Sequence, residues 1–127
     1  MNTASNEFTQ RTEEDGNLTL WRISGIVGDA HIADLKETLN QLLAAGRHNI
    51  IIDCEGVQAI DSRGLGLLIT TQKEVRNHEG RMALVNLNAQ FAALLELTRL
   101  NRVFEIFMDM ETAKRSFGNV MDSGVGK

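Results

Sequence analysis

The residue types best suited to chemistry crowd into one stretch, Ala59-Ile60-Asp61-Ser62-Arg63-Gly64-Leu65-Gly66. A carboxylate, a hydroxyl and a guanidinium stand in successive positions, with glycines at Gly64 and Gly66. An apolar strand-like run (Ile50, Ile51, Ile52) precedes them and an amphipathic helical pattern follows. Ser62 is therefore expected at or just before a helix N-terminus, where several backbone N–H groups have no intrahelical acceptor. The positive end of the helix dipole points there, so an anion attached to the serine would be stabilised. Glycines in the first turn remove side chains and let a backbone or a phosphate come close. The stretch reads as a reversible phosphorylation site, Ser62, set in a docking surface. Plain capping of the helix by Asp61 or Ser62 is the simpler account of the same residues, and the octapeptide taken alone favours it.

Other chemistries fit less well. The nucleophile elbow of serine hydrolases needs a glycine two residues before the serine, and Ile60 stands there. His31, His48 and His78 fall near a helix start, before a strand and near a helix end, and read as solvated surface residues rather than bases for Ser62. A dinucleotide fingerprint would want a third glycine where Ile69 stands, and no Gly-Lys-Ser or Gly-Lys-Thr tripeptide of a P-loop occurs. Asp53, Cys54 and Glu55 are neighbours, but adjacent strand residues point to opposite faces and do not converge on a metal. The lone cysteine excludes an internal disulfide, and Cys54 reads as a small buried hydrophobe. No catalytic residue, metal or cofactor is assigned. Recognition by another protein remains. A phosphate on Ser62 would bring roughly −1.5 to −2 charges to a docked surface, and each ~1.4 kcal/mol of the resulting penalty weakens a complex tenfold.

The elements that must hold this stretch follow from the hydrophobic pattern. Residues 1–6 are polar and expected to be loose, and 8–13 suit a short edge strand. Asp15-Gly16-Asn17 is a turn signal, after which Leu18, Leu20, Trp21 and Ile23 form a strand that Gly25 closes, giving a hairpin. Asp29 is a plausible N-cap for a helix carrying Ile32, Leu35, Leu39, Leu42 and Leu43 on one face, with Gly46 at its end. Residues 49–54 lack polar alternation, as a central strand covered on both faces does. A helix over 63–79 follows, with Gly80 as its C-terminal cap, then a buried strand at 82–85. Asn88 starts a helix that turns Phe91, Leu94 and Leu95 inward, 103–107 supplies a last strand, and Asp109 caps a helix with Met110, Ala113 and Phe117. From Gly118 onward, 118–127 reads as a flexible tail after a single domain at 1–117. The expected fold is α/β: a mixed, mostly parallel sheet of four to five strands with an N-terminal hairpin, flanked by about four helices.

Composition agrees with such a domain and narrows its partners. Hydrophobic residues make up 43% of the 127, and aromatics only 5%, so the core should be aliphatic. A formal charge of −4, with no cluster of Lys and Arg interleaved with aromatics, argues against broad nucleic-acid binding. Residues 1–10 lack the apolar core of a signal peptide, and no apolar run approaches the ~20 residues of a membrane span. A cytoplasmic protein is expected.

The motif Ile60-Asp61-Ser62-x-Gly64-Leu65-Gly66 after the 50–53 strand resembles the STAS family, in particular the bacterial anti-sigma-factor antagonists. Ile23-Ser24-Gly25 before a helix supports it, as does the later spacing of Phe91, Leu94, Leu95, Leu100, Val103, Phe104 and Ile106, then Glu111 and Ala113. The resemblance covers about residues 18–117. It implies that Ser62 is phosphorylated by a partner that is both serine kinase and anti-sigma factor. It further implies that the unmodified chain binds that partner and frees a sigma factor, that phosphorylation releases it, and that a serine phosphatase restores it. Asp61, Ser62, Arg63, Gly64, Leu65, Gly66 and Asp29 would form the partner-binding surface. The sequence departs from the family at Arg63, where a small residue is usual, and at Gly28, where an acidic residue is usual and Asp29 comes next. A STAS module acting on something other than a sigma factor (a phosphatase, a lipid-transport complex or a sensory assembly) is the nearest alternative. A small hydrolase using Ser62 is a more distant one.

Overall fold

The computed structural model of the chain describes residues 7–125, with side chains as far as residue 118. Residues 1–6 lie outside the described part. Five strands form one sheet in sequential order: β1 (Thr9–Asp15), β2 (Leu18–Val27), β3 (Asn49–Ile60), β4 (Arg81–Val85) and β5 (Glu105–Phe107). β1 and β2 make the expected antiparallel hairpin, and the remaining pairs are parallel. Helices α1 (Ile32–Ala44), α2 (Ser62–Asn77) and α3 (Ala89–Leu97) are the crossovers, and α4 (Met110–Val125) follows the edge strand.

This order fixes which face each helix covers. Right-handed crossovers that always step in the same direction place their helices on the same side of a sheet. Accordingly, Leu35 and Leu39 of α1, Leu67, Leu68 and Val75 of α2, and Phe91 and Leu95 of α3 share one buried cluster. In it they meet Trp21, Ile23, Ile50, Ile52 and Leu84 of the sheet. The other face is covered by α4, whose Ala113 and Phe117 pack on Leu18, Leu20, Ile51, Ala83 and Val85. The three isoleucines of β3 are thus divided between the faces, and each is at most 1% exposed. Full burial of such a side chain is worth roughly 1.5–3 kcal/mol, so β3 is the axis of both cores.

Several boundaries differ from those the pattern suggests. β2 does not close at Gly25 but runs on to Val27, because Gly25 (φ +94°) sits at a register irregularity within the strand, where a Cβ would collide with the carbonyl of Glu7. β3 extends to Ile60 rather than ending near Cys54, since two irregularities against β2 interrupt its apolar alternation. The last strand is shorter than 103–107, as Leu100–Arg102 forms a 3-10 turn first. Gly80 does not supply the left-handed residue after α2. Glu79 does (φ +62°), with Glu79 N–H donating to Arg76 O at 2.9 Å and Gly80 N–H to Val75 O at 2.8 Å. Gly80 instead lies where a Cβ would strike the carbonyl of His48. Gly46 does close α1 at φ +78°, and Asn88 and Asp109 cap α3 and α4 through Phe91 N–H and Thr112 N–H. Gly118 has no left-handed φ, and α4 is helical past it to Val125; 126–127 lie outside the described residues.

Candidate functional site

Parallel strands bring the loops after their C-terminal ends to one edge of the sheet, where α/β folds place their sites. Here the loops after β2 and β3 lie side by side, because Val27 pairs with Ile60 and Asp61 N–H donates to Val27 O at 3.1 Å. Asp61 then takes an extended conformation as the N-cap of α2, and its Oδ1 accepts from Gly64 N–H at 2.9 Å. The N-cap belongs to Asp61, so Ser62 is the first residue of the helix. Its side chain is exposed, and no hydrogen bond engages its hydroxyl among the described residues.

The Asp61 carboxyl is held below the usual carboxylate range. The Gly64 N–H is the main cause; the backbone N–H groups of Asp29 and Arg63 and the Arg63 charge add to it, against a smaller effect of desolvation. Asp61 also touches the neighbouring loop. A Cβ at Gly28 would come 2.6 Å from its Oδ2, so the loop packs directly on the cap. Asp29, expected as an N-cap, begins a 3-10 turn (Asp29–His31) and caps nothing with its side chain. Its carboxylate reaches the other way, to Arg63, at 3.0 Å from Nη1. Arg63, one departure from the STAS pattern, is therefore paired with the residue that follows the other departure, Gly28. No signal in the sequence announced this pair, whose members are 34 residues apart.

The rest of the motif divides by helical periodicity. Gly64 is buried on the same face as Leu67 and Leu68, and a Cβ there would lie 2.6 Å from Ile60 Cγ1 and 3.2 Å from Val27 O. Its missing side chain seats the helix on the sheet and does not open the surface, as expected of it. Gly66 is exposed with nothing within 4 Å, and it does leave the first turn open. Leu65 is half-buried against the larger core cluster. Beside the site, Ile26 is 49% exposed, and a groove of about 130 Å³ runs between the end of β3 and the start of α3, lined by Val57, Ile60, Asn88, Phe91 and Leu94 among others. Ile26 keeps the alternation of β2, on the face of Leu18 and Leu20, but is left uncovered there.

Other candidate groups go elsewhere. His31 stacks on Phe8 at 4.2 Å, and His48 lies against His78 at 4.9 Å, so His31 and His48 are half-buried rather than solvated; His78 is exposed. None of the three bonds Ser62 among the described residues. Burial pushes the Cys54 thiol up, as for an inert core cysteine. Asp53 is satisfied by Arg22 Nε (3.3 Å), Asn86 Nδ2 (3.0 Å) and Glu55 N–H (3.1 Å). Among the described residues, no three His, Cys, Asp or Glu side chains gather as metal ligands, and no helix is long and apolar enough to cross a membrane.

Comparison with known proteins agrees with this geometry. The STAS domain model matches residues 9–113. A candidate anti-sigma factor antagonist of Thermotoga maritima is 30% identical over 81 residues, 64% of this chain and 71% of that protein. The anti-sigma-B factor antagonist of Staphylococcus aureus is 24% identical over 85 residues, 67% of this chain and 79% of that protein. Among solved structures, the crystal structure of a candidate anti-sigma factor antagonist from Thermotoga maritima superposes with a TM-score of 0.80 at 21% identity, covering 84% of this chain and 92% of that one.

Proposed function

Because the chain belongs to the STAS domain family, we propose that it is an anti-sigma factor antagonist that works by partner switching, with Ser62 as the switch. In this reading the unmodified chain docks on an anti-sigma factor that is also a serine kinase, and a sigma factor is set free. The kinase brings ATP. The Ser62 Oγ attacks the γ-phosphorus, its proton passes to a base on the kinase, and ADP leaves. The chain itself catalyses nothing. The new charge then meets desolvation and repulsion across the docked face, and the complex dissociates. A serine phosphatase returns the chain to its binding form, and the whole cycle runs in the cytoplasm.

The observation that carries this reading is the exposed, unengaged hydroxyl of Ser62 on the first residue of α2, with its helix already capped by Asp61. Capping needs no serine here, so the plainer account of Ser62 loses its reason. Asp29, Arg63 and Gly66 are likewise exposed, and both Ile26 and, separately, the groove after β3 offer apolar area for a docked protein. Incubation with a cognate serine kinase and ATP, followed by intact mass and peptide mapping, tests the reading. One phosphate on Ser62 that abolishes kinase binding is the expected result. A covalent adduct of Ser62 with an acyl or phosphonate probe, without phosphorylation, would instead favour a hydrolase.

A further inference from the structure

We propose that Arg63 is shared between two anions. It pairs with Asp29 while Ser62 is a free hydroxyl and moves to the phosphate once Ser62 carries one, which leaves Asp29 without its cation. The inference rests on Ser62 as the phosphoacceptor and goes beyond it, naming the cation that answers the phosphate and the carboxylate that gives it up.

Three observations lead to it. The Arg63–Asp29 pair is 3.0 Å long with side chains 70% and 73% exposed, so water screens it and it exchanges readily. A phosphate offers the guanidinium three oxygens and a double charge, a stronger bidentate acceptor than one exposed carboxylate. Second, the helix start is already occupied. Asp61 takes the Gly64 N–H and draws on the N–H groups of Asp29 and Arg63. A phosphate on Ser62 therefore shares the helix start with a carboxylate that already holds the Gly64 N–H, and it has Asp61 and Asp29 as nearby like charges. His31, on the same 3-10 turn as Asp29, lies on Phe8, and Arg63 is the cation that the described contacts place at the site. Third, the two anions compete for one guanidinium. Successive helical residues diverge by ~100°, and Arg63 now leans across to Asp29 of the β2–α1 loop, so a phosphate on Ser62 draws its side chain in a different direction. Loss of that pair leaves the loop tied by Asp61 against Gly28, and Asp29 meets a like charge in place of its partner.

Phosphoserine placed at position 62 during translation, with no kinase involved, allows a direct test by ³¹P titration. A native chain that no kinase modifies would sink the switch and leave this test standing. The second ionisation of the phosphate, near pH 6 for a free group, should lie about half a unit or more lower in the parent phosphoprotein than with Arg63→Gln, roughly a threefold difference in proton affinity. Arg63→Lys should recover part of the shift. Asp29→Asn should lower the ionisation further while Arg63 is present, and by less in the Arg63→Gln background. Emission of Trp21, the single tryptophan and 1% exposed, reports that each variant is folded. Equal titrations with and without Arg63, or an Asp29→Asn effect of the same size in both backgrounds, would overturn the exchange.

Discussion

Asp61 and Ser62 are adjacent and chemically opposite, one a fixed anion inside the cap and the other a hydroxyl held outside it. The depressed ionisation of Asp61 makes its contribution to stability pH-dependent with a definite sign. The folded state binds that proton less tightly than the unfolded chain does. The contribution is therefore complete above the ordinary value of 3.8 and disappears as pH falls through the lower folded value. Asn caps a helix about as well as Asp but does not titrate. Urea unfolding followed by Trp21 emission should thus show the parent ahead of Asp61→Asn near neutrality, with the gap closing below pH ~3.8. A gap that stays constant into acid would assign the depressed ionisation to another group. At Ser62 the expected contrast is in binding alone. Ser62→Ala should hold the partner kinase constitutively and Ser62→Asp should hold it poorly, with equal melting temperatures. Equal binding by both would remove charge as the releasing force. The cap and the serine at the helix start were legible in the sequence because both depend on residues within one turn. The Asp29–Arg63 pair was not, since it depends on how two strands align.

Helix ends show where local signals mislead. A glycine shortly after a helical pattern suggests a left-handed cap, and at Gly46 it is one. After α2 the same reading fails by one residue, because Glu79 takes the left-handed turn and Gly80 is reserved for close passage past the His48 carbonyl. The two positions should therefore respond oppositely to substitution. Glu79→Gly relieves a left-handed conformation costing ~1–2 kcal/mol and adds back part of that in chain entropy, for a net gain of roughly 0.5 kcal/mol. Gly80→Ala forces a methyl into backbone and should cost roughly 1–3 kcal/mol. Chemical denaturation of both variants checks the pair, and a loss at Glu79→Gly would return the capping role to Gly80. Strand lengths were misjudged for a related reason. The irregularities opposite Ser24 and Ile26 break the period of two on which strand reading rests, so β3 looked finished at Cys54 although it continues to the site itself. The extra length matters, because it carries Asp61 directly to Val27 and Gly28.

Across the whole molecule, the sheet separates what holds the fold from what the switch needs. The general plan was readable, since repeated strand–helix units force parallel crossovers. The assignment of α4 alone to the second face was not, because it depends on every crossover stepping the same way. That face is fastened at its far end by Arg81. Its guanidinium donates to both carboxylate oxygens of Glu105 (2.7 and 2.9 Å) and to Ser116 Oγ (2.6 Å), and it lies 4.2 Å over the Phe117 ring. Arg81 begins β4 beside Asn49, the first residue of β3, whereas Ser62 comes two residues after the last. At ~3.3 Å per residue the strand puts them on the order of 30 Å apart. Arg81→Met should therefore loosen α4 and cost roughly 1.5–3 kcal/mol, the scale of hydrogen bonds to a charged group. Glu105 is 41% exposed and can be rehydrated, so the loss should stay within that range. At temperatures where the variant remains folded, the rate at which the kinase modifies Ser62 should match the parent. A slowed modification with Trp21 emission unchanged would mean that the second face reaches the partner, and the separation of scaffold from switch would fail.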